Sequence, residues 1–291
     1  MINKSGFINI LKPTGMTSAD VVFAVKKILK PNKIGHLGTL DPAAAGVLPI
    51  AIGKGTKFFD YFLNKDKVYI ARVKFGIETD TLDSFGIVLR KDNLRVTKEQ
   101  ILAVLPKFLG KIKQVPPKYS AIKINGRRAC DLARENIEFE IKSKEIEVFS
   151  IDLLSDCGNN EFMFKVHCSS GTYIRTLFSD IAYSLNTIST TPVIIRAKSG
   201  RFDINSAIML EELTEEKIVS IKEVFYGTQT IEVDECMAKK FINGVKVFSG
   251  ELKTQPEAEF FISYKNIIIG LYKIENELIK PIVYLYEVQN D

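Results

Sequence analysis

The stretch that most restricts this chain is residues 35–57, Gly-His-Leu-Gly-Thr-Leu-Asp-Pro-Ala-Ala-Ala-Gly-Val-Leu-Pro-Ile-Ala-Ile-Gly-Lys-Gly-Thr-Lys. It is small and apolar almost throughout, yet it carries one acid, Asp41, and one of only two histidines, His36. An acid in such company does not serve to keep a surface wet. Gly35, Gly38, Gly46 and Gly53 let the backbone bend and come close to a ligand. Asp41 followed by Pro42 and Ala43–Ala45 also reads as the N-cap of a short helical turn, with proline at its first position. The two readings are compatible. Gly53-Lys54-Gly55-Thr56 imitates the end of a phosphate-binding loop. That motif needs glycine where residue 48 is leucine, and Ser or Thr where Lys54 is followed by Gly55, which argues against nucleotide hydrolysis.

The bulk numbers set the class. With 291 residues there is room for one large domain and a small one, expected at 1–228 and 229–291. Apolar residues at 46% and charged residues at 26% describe an ordinary globular protein. No apolar run is long enough to span a membrane, and the first residues lack a secretory core, so a cytoplasmic protein is expected. The cysteines at 130, 157, 168 and 236 form no Cys-x-x-Cys pair, and with two histidines no metal site is expected. Net charge is +5, but it is uneven. Residues 107–144 hold ten Lys/Arg against four acids, whereas 229–291 hold seven Lys against ten acids. Such a local basic patch is what a phosphate-tracking surface requires.

Along the chain, residues 6–11 read as a strand that enters the Lys12–Ser18 loop. Thr17 and Asp20 have capping-box spacing, and Val21, Val22, Val25, Ile28 and Leu29 form one stripe of a helix ended by Pro31. Residues 67–76 alternate as a strand with Tyr69, Ala71, Val73 and Phe75 on one face, and on that pattern alone Tyr69 is a core aromatic. Thr79–Asp83 is a polar turn whose acid spacing fails the calcium-loop pattern. A helix is expected over 97–109. Two prolines, Tyr119 and dense cations, among them Lys123, Arg127 and Arg128, make 115–128 an exposed arm suited to nucleic acid. A charge run is nonetheless usually a solvated face.

Residues 145–154 and 161–168 read as paired strands with His167 on the solvent side. Gly171-Thr172-Tyr173-Ile174-Arg175 opens a helix whose stripe is Ile174, Leu177, Phe178, Ile181 and Leu185. Arg175 lies off that stripe in the first turn, where the helix dipole disfavours a cation by about a few tenths of a kcal/mol. An arginine so placed needs a partner. Residues 229–291 read as five short strands, around 231–233, 245–248, 260–264, 267–272 and 282–286, spaced as in a small barrel.

Gly-His-x-Gly-x-Leu-Asp-Pro-x-Ala-x-Gly-x-Leu-Pro at 35–49 closely resembles the signature of the TruB family of tRNA pseudouridine synthases. So do Lys-Pro-x-Gly-x-Thr-Ser at 12–18, Asp66-Lys67-Val68-Tyr69, Thr79-Asp80-Thr81-Leu82-Asp83, Pro-Pro-x-Tyr-Ser-Ala-x-Lys at 116–123, Gly171–Arg175 and Gly200-Arg201-Phe202. The chain departs from the family's His-Leu turn and Leu-Arg-Arg, reading Thr190-Thr191 and Ile194-Ile195-Arg196 there. One arginine and the histidine are missing. The match is close over about 1–205 and loose beyond.

The resemblance implies an α+β pseudouridine synthase fold, a mixed, largely antiparallel sheet with flanking helices, followed by a small PUA-like β domain. It implies isomerisation of uridine 55 in the T loop of tRNA after the base is flipped out, without metal, cofactor or obligatory protein partner. Asp41 would be the nucleophile or stabilise the cation at C1′, with Arg175 pairing to it and Tyr69 stacking on the uracil. His36 would fill the vacated space or stack on a neighbouring base. Lys12, Tyr173 and Ile194 would line the substrate, and the basic arm at 107–144, with Lys123, Arg127 and Arg128, would grip the T-arm stem-loop. The rivals are a non-catalytic RNA-binding module or RNA chaperone, and a synthase of the same fold acting on another RNA. A chain ending near Gly227 is expected to keep activity on a T-arm hairpin, unless the acidic tail covers apolar surface through residues such as Phe241 and Phe248.

Overall fold

A computed structural model describes residues 4–286. Strand β1 (Gly6–Lys12) leads into helix α1 (Ser18–Leu29), whose capping box forms as expected: Thr17 Oγ1 accepts Asp20 N at 3.1 Å, and Asp20 Oδ2 accepts Thr17 N at 2.8 Å. Lys30 closes α1 in the left-handed conformation, φ 50°. Val21, Val25 and Leu29 turn inward, but Ile28 is half-exposed, so the buried stripe is narrower than the sequence pattern. Strands β2 (Ile34–His36) and β3 (Ala45–Ile52) bracket the loop that carries Asp41. A 3₁₀ turn over 53–58 and helix α2 (Phe59–Leu63) follow, then β4 (Lys67–Phe75).

β5 (Ile77–Thr79) and β6 (Val88–Lys91) form a separate hairpin across the polar turn at 79–83. Helix α3 (Lys98–Val104) is shorter than expected, because the chain tightens to a 3₁₀ turn over 105–108 at Pro106. The arm is β7 (Gly110–Gln114), the two-residue strands β8 (Lys123–Ile124) and β9 (Arg127–Arg128), and α4 (Ala129–Arg134). Asn125 and Gly126 join β8 to β9 with φ of 50° and 85°, the positive pair that a tight hairpin turn demands. Then come β10 (Lys144–Gly158), β11 (Glu161–Cys168), α5 (Ile174–Ser184), β12 (Ser189–Ser199), β13 (Phe202–Asp203) and α6 (Ile221–Val224).

The large sheet has nine strands in the order β1-β3-β12-β4-β11-β10-β7, with β2 beside β3 and β13 beside β12. Every pairing is antiparallel except β12 with β3. The α+β, largely antiparallel expectation therefore holds. Helices α1 and α5 cover one face, and Leu48, Ile50, Ala71, Val73, Phe164, Val166, Leu177, Phe178 and Ile181 make the main core between them. At these burials each large side chain contributes about 1.5–3 kcal/mol.

The C-terminal part differs from its reading. It is a four-stranded sheet, β14 (Thr230–Glu232), β15 (Glu259–Tyr264), β16 (Ile267–Glu275) and β17 (Leu278–Tyr284), with helix α7 (Glu235–Ile242) inserted after β14. Residues 245–248 form no strand, only one bridge from Phe248 to Leu278. The sheet is open rather than a five-strand barrel. Asp234 caps α7 through Met237 N at 2.9 Å, and Glu235 pairs with Lys239 one turn on. Phe241 belongs to this sheet's own core and Phe248 is half-exposed. The surface that meets the large sheet is instead Phe261, Leu271, Val283 and Leu285, packed against Phe7, Phe58, Tyr61, Phe62 and Phe225. Among the described residues no helix is long and apolar enough to cross a membrane.

Candidate active site

Asp41 lies in the loop between β2 and β3, and that loop is held at several points. Ser18, at the start of α1, accepts Leu40 N at 2.9 Å and donates to Leu40 O at 3.0 Å. Arg196, buried at 2% exposure on β12, donates to Val47 O (2.8 Å), Thr39 O (3.0 Å) and Gly38 O (3.1 Å). One guanidinium thus fastens both ends of the loop. The fit depends on Gly46, whose φ is +112° and where a Cβ would stand 2.4 Å from Arg196 O and 2.7 Å from Arg196 N. No side chain fits there. Asp41 does not cap a helix: Ala44 N bonds its carbonyl at 3.0 Å in a single turn, after which β3 begins. Its carboxylate is free for another partner.

That partner is Arg175. Its Nη2 stands 2.7 Å from Asp41 Oδ2, with the arginine 3% exposed and the aspartate 36%. Nη1 donates to Thr81 O at 2.7 Å and Nη2 to Tyr119 O at 3.0 Å, while Asp83 Oδ2 lies 3.7 Å away. The side chain that looked misplaced at a helix N-terminus therefore ties the Asp41 loop, the 79–83 turn and the arm together. Asp83 is spoken for: its Oδ1 accepts Thr81 Oγ1 (2.7 Å) and Phe85 N (2.9 Å). Leu82, at φ +60°, gives that turn its left-handed bend, a strained position for a branched side chain.

Arg175→Lys is expected to keep the charge and lose most activity. An ammonium cannot bond a carboxylate and two diverging carbonyls with the planar geometry seen here. Steady-state kinetics on a tRNA transcript check this; a near wild-type kcat would reduce Arg175 to a structural residue.

Around this pair the structure gathers four of the eight other expected residues. Tyr69 sits on β4 opposite Arg196, and burial pushes its phenol up to about 12, so it stays protonated. Tyr173, just before α5, is held through its backbone by Gln114, whose amide bonds its N and O (2.8 and 3.1 Å). Burial raises the Tyr173 phenol, and the Asp41 charge adds to that. Lys12 is fully buried and donates to Pro13 O, Met16 O and, at 3.5 Å, Pro42 O. Burial lowers it to about 8, with Asp41 pulling the other way. Lys12 therefore braces the turn after Asp41 from below rather than reaching a ligand. His36 is half-buried on β2; burial, then Arg196, lowers its pKa, and Nδ1 is buried without a partner.

Other expected residues are not brought in. Ile194 is 7% exposed inside the main core, so it offers a substrate little surface. Lys123, Arg127 and Arg128 are exposed on the β8–β9 hairpin and make no bond to the Asp41 cluster; Arg127 pairs with Glu135. His167 is not simply solvent-facing: its Nε2 meets Asp66 Oδ2, and its ring lies tilted against Phe149 with centroids 4.8 Å apart. Sequence reading quoted Ser18 and Arg196 only as positions in family-like motifs and passed over Gln114. Only Arg196 had a signal, a charge inside an apolar strand.

A curated tRNA pseudouridine synthase B of Clostridium perfringens is 43% identical over 279 residues, 92% of this chain and 95% of the relative. One from Clostridioides difficile is 46% identical over 228 residues, 77% of this chain and 72% of that one. Among solved structures, the crystal structure of a Cbf5-Nop10-Gar1 complex aligns with a TM-score of 0.72 at 24% identity, over 97% of this chain and 84% of that one, a likeness of fold. The N-terminal domain model of the TruB family of pseudouridylate synthases matches residues 26–174. The chain belongs to the TruB pseudouridylate synthase family.

Proposed function

We propose that this chain converts a uridine of tRNA, uridine 55 in the T loop, to pseudouridine, and that Asp41, Arg175 and Tyr69 carry the reaction. The observation that supports this most directly is a part-exposed carboxylate held 2.7 Å from a buried arginine. In this reading the Asp41 carboxylate meets C1′ as the N1–C1′ bond breaks. The detached uracil turns, C5 bonds to C1′ as the Asp41 carboxylate leaves it, the C5 proton leaves and N1 gains one. Atoms and electrons balance without an outside reagent. Glycoside cleavage ordinarily uses a second carboxyl as acid. Asp83, the nearest other acid to Arg175, is buried and committed to the 79–83 turn, so the reaction must work with one.

Tyr69 stacks on the extruded base, and the exposed Lys123, Arg127 and Arg128 follow the phosphates of the T arm. We place the enzyme in the cytoplasm, acting without an obligatory protein partner, with its catalytic part ending near residue 228. The test is to incubate purified protein with an unmodified T-arm hairpin and map pseudouridine by chemical sequencing. Product at one T-loop position, uridine 55, is expected. Binding without product would favour the RNA-chaperone reading, and product only with added protein factors would favour the same-fold synthase acting on another RNA.

A further inference from the structure

A second basic surface lies on α1, away from the arm. Counting 100° per residue, Phe23, Lys26, Lys27 and Lys30 fall within an arc of about 100° opposite the buried Val21, Val25 and Leu29. Phe23 is 70% exposed. Lys33 continues the patch past Pro31, and Gly53 N bonds Lys33 O at 3.0 Å, which brings Lys54 alongside. Between residues 26 and 57 the chain has six lysines and one acid, Asp41, which is already paired with Arg175. Among the described residues Lys26, Lys27, Lys30, Lys33 and Lys54 have no carboxylate partner. The one acid on that face of the helix, Asp20, sits at its far end and is engaged in the capping box.

Two ordinary explanations fall short. The helix dipole favours cations in the last turn, which accounts for Lys26 and Lys27 but not for Lys33 and Lys54 beyond it. Solubility accounts for charge but not for a large exposed ring among the lysines. Location adds the third argument. α1 holds Leu40 through Ser18, and Lys33 immediately precedes β2, which leads into the Asp41 loop, so the patch adjoins that loop. It belongs to the β1–β3 edge of the nine-stranded sheet, whereas the basic arm issues from β7 at the opposite edge.

We propose that the outer face of α1, with Lys33 and Lys54, is a second phosphate-binding surface for the RNA substrate, taking a stretch of backbone that the arm does not reach. Phe23 supplies a ring on which a ribose or an unpaired base packs. This rests on the reading that the substrate is tRNA.

The experiment compares wild type, K26A/K27A/K30A and K26R/K27R/K30R, all full-length, on an unmodified tRNA transcript. Alanine has the best helix propensity at 26 and 27, and at the left-handed cap Lys30 it carries the same Cβ as lysine, so the fold is kept, and circular dichroism checks it. The alanine variant is expected to lower the slope of log affinity against log salt by about two to three, while the arginine variant keeps it. At saturating tRNA, kcat should stay within about twofold, since only uniform binding is lost. Combined with K123A/R127A/R128A, the loss of slope should add. An unchanged slope in the alanine variant, or an equal loss in the arginine variant, overturns the proposal. A wild type that binds tRNA with a steep salt slope but makes no pseudouridine would instead overturn the functional reading and leave this surface standing.

Discussion

Asp41→Asn is expected to reduce pseudouridine formation by about a hundredfold or more while leaving tRNA affinity within a few fold, a loss of at least about 2.7 kcal/mol of transition-state stabilisation. The change is nearly isosteric, and the loop should survive it. The turn uses the Asp41 carbonyl, not its side chain, and Ser18 and Arg196 bond backbone at 38–40 and 47. Arg175 keeps the Thr81 and Tyr119 carbonyls and its neighbour Asp83 when the charge at 41 is lost. The variant therefore removes one negative charge from an intact site. An amide oxygen is a poor nucleophile and cannot stabilise a cation at C1′ as a carboxylate does. Single-turnover assays beside binding isotherms separate the two effects. Turnover above about a hundredth of wild type would remove Asp41 from its role as nucleophile.

The parts legible in the sequence were those in which local chemistry and tertiary demand agree. Thr17 with Asp20, and Asn125 with Gly126, encode their cap and turn within a few residues, and both form. Arg175 was legible for the opposite reason: its position is poor locally, so only a distant partner explains it, and Asp41 is there. What stayed hidden was set by contacts between remote segments. Nothing near Ser18 signals that its hydroxyl will bond Leu40, and nothing near Gln114 signals Tyr173. Ile194 misled because an apolar residue in a family-like position looks the same whether it faces a ligand or the core. Helix α7 was within reach: Asp234 as cap, Met237, Ala238, Phe241 and Ile242 at helical spacing, and Glu235 four before Lys239. Asn243-Gly244 has the composition of a break between strands, whereas here it closes the helix.

Removing residues 228–291 is expected to leave a protein that aggregates or loses most of its activity even on a T-arm hairpin, the alternative the sequence left open, though through other residues than Phe241 and Phe248. The catalytic part buries Phe58, Tyr61, Phe62 and Phe225 in one cluster with Phe261, Leu271, Val283 and Leu285 of the C-terminal sheet. Phe225 and Phe261 meet edge to face at 5.3 Å. Polar contacts finish the seam, with Tyr61 donating to Glu259 at 2.7 Å and Lys65 at 3.4 Å from the same carboxylate. Each such ring buries about 150–250 Å². Uncovering even half of four of them exposes on the order of 300–500 Å² in one patch, as large as the biggest apolar patch of an ordinary monomer and before Phe7 and Leu37, uncovered with them, are added. The damage also reaches the chemistry. Leu37 and Val47 belong to this cluster, and they flank the Asp41 loop, Val47 through the carbonyl that Arg196 bonds. Loosening the seam should therefore loosen the loop. Sedimentation and thermal melting report the first effect, and hairpin turnover by any soluble fraction reports the second. A monomeric truncation with wild-type turnover would show that the shared core does not support the site.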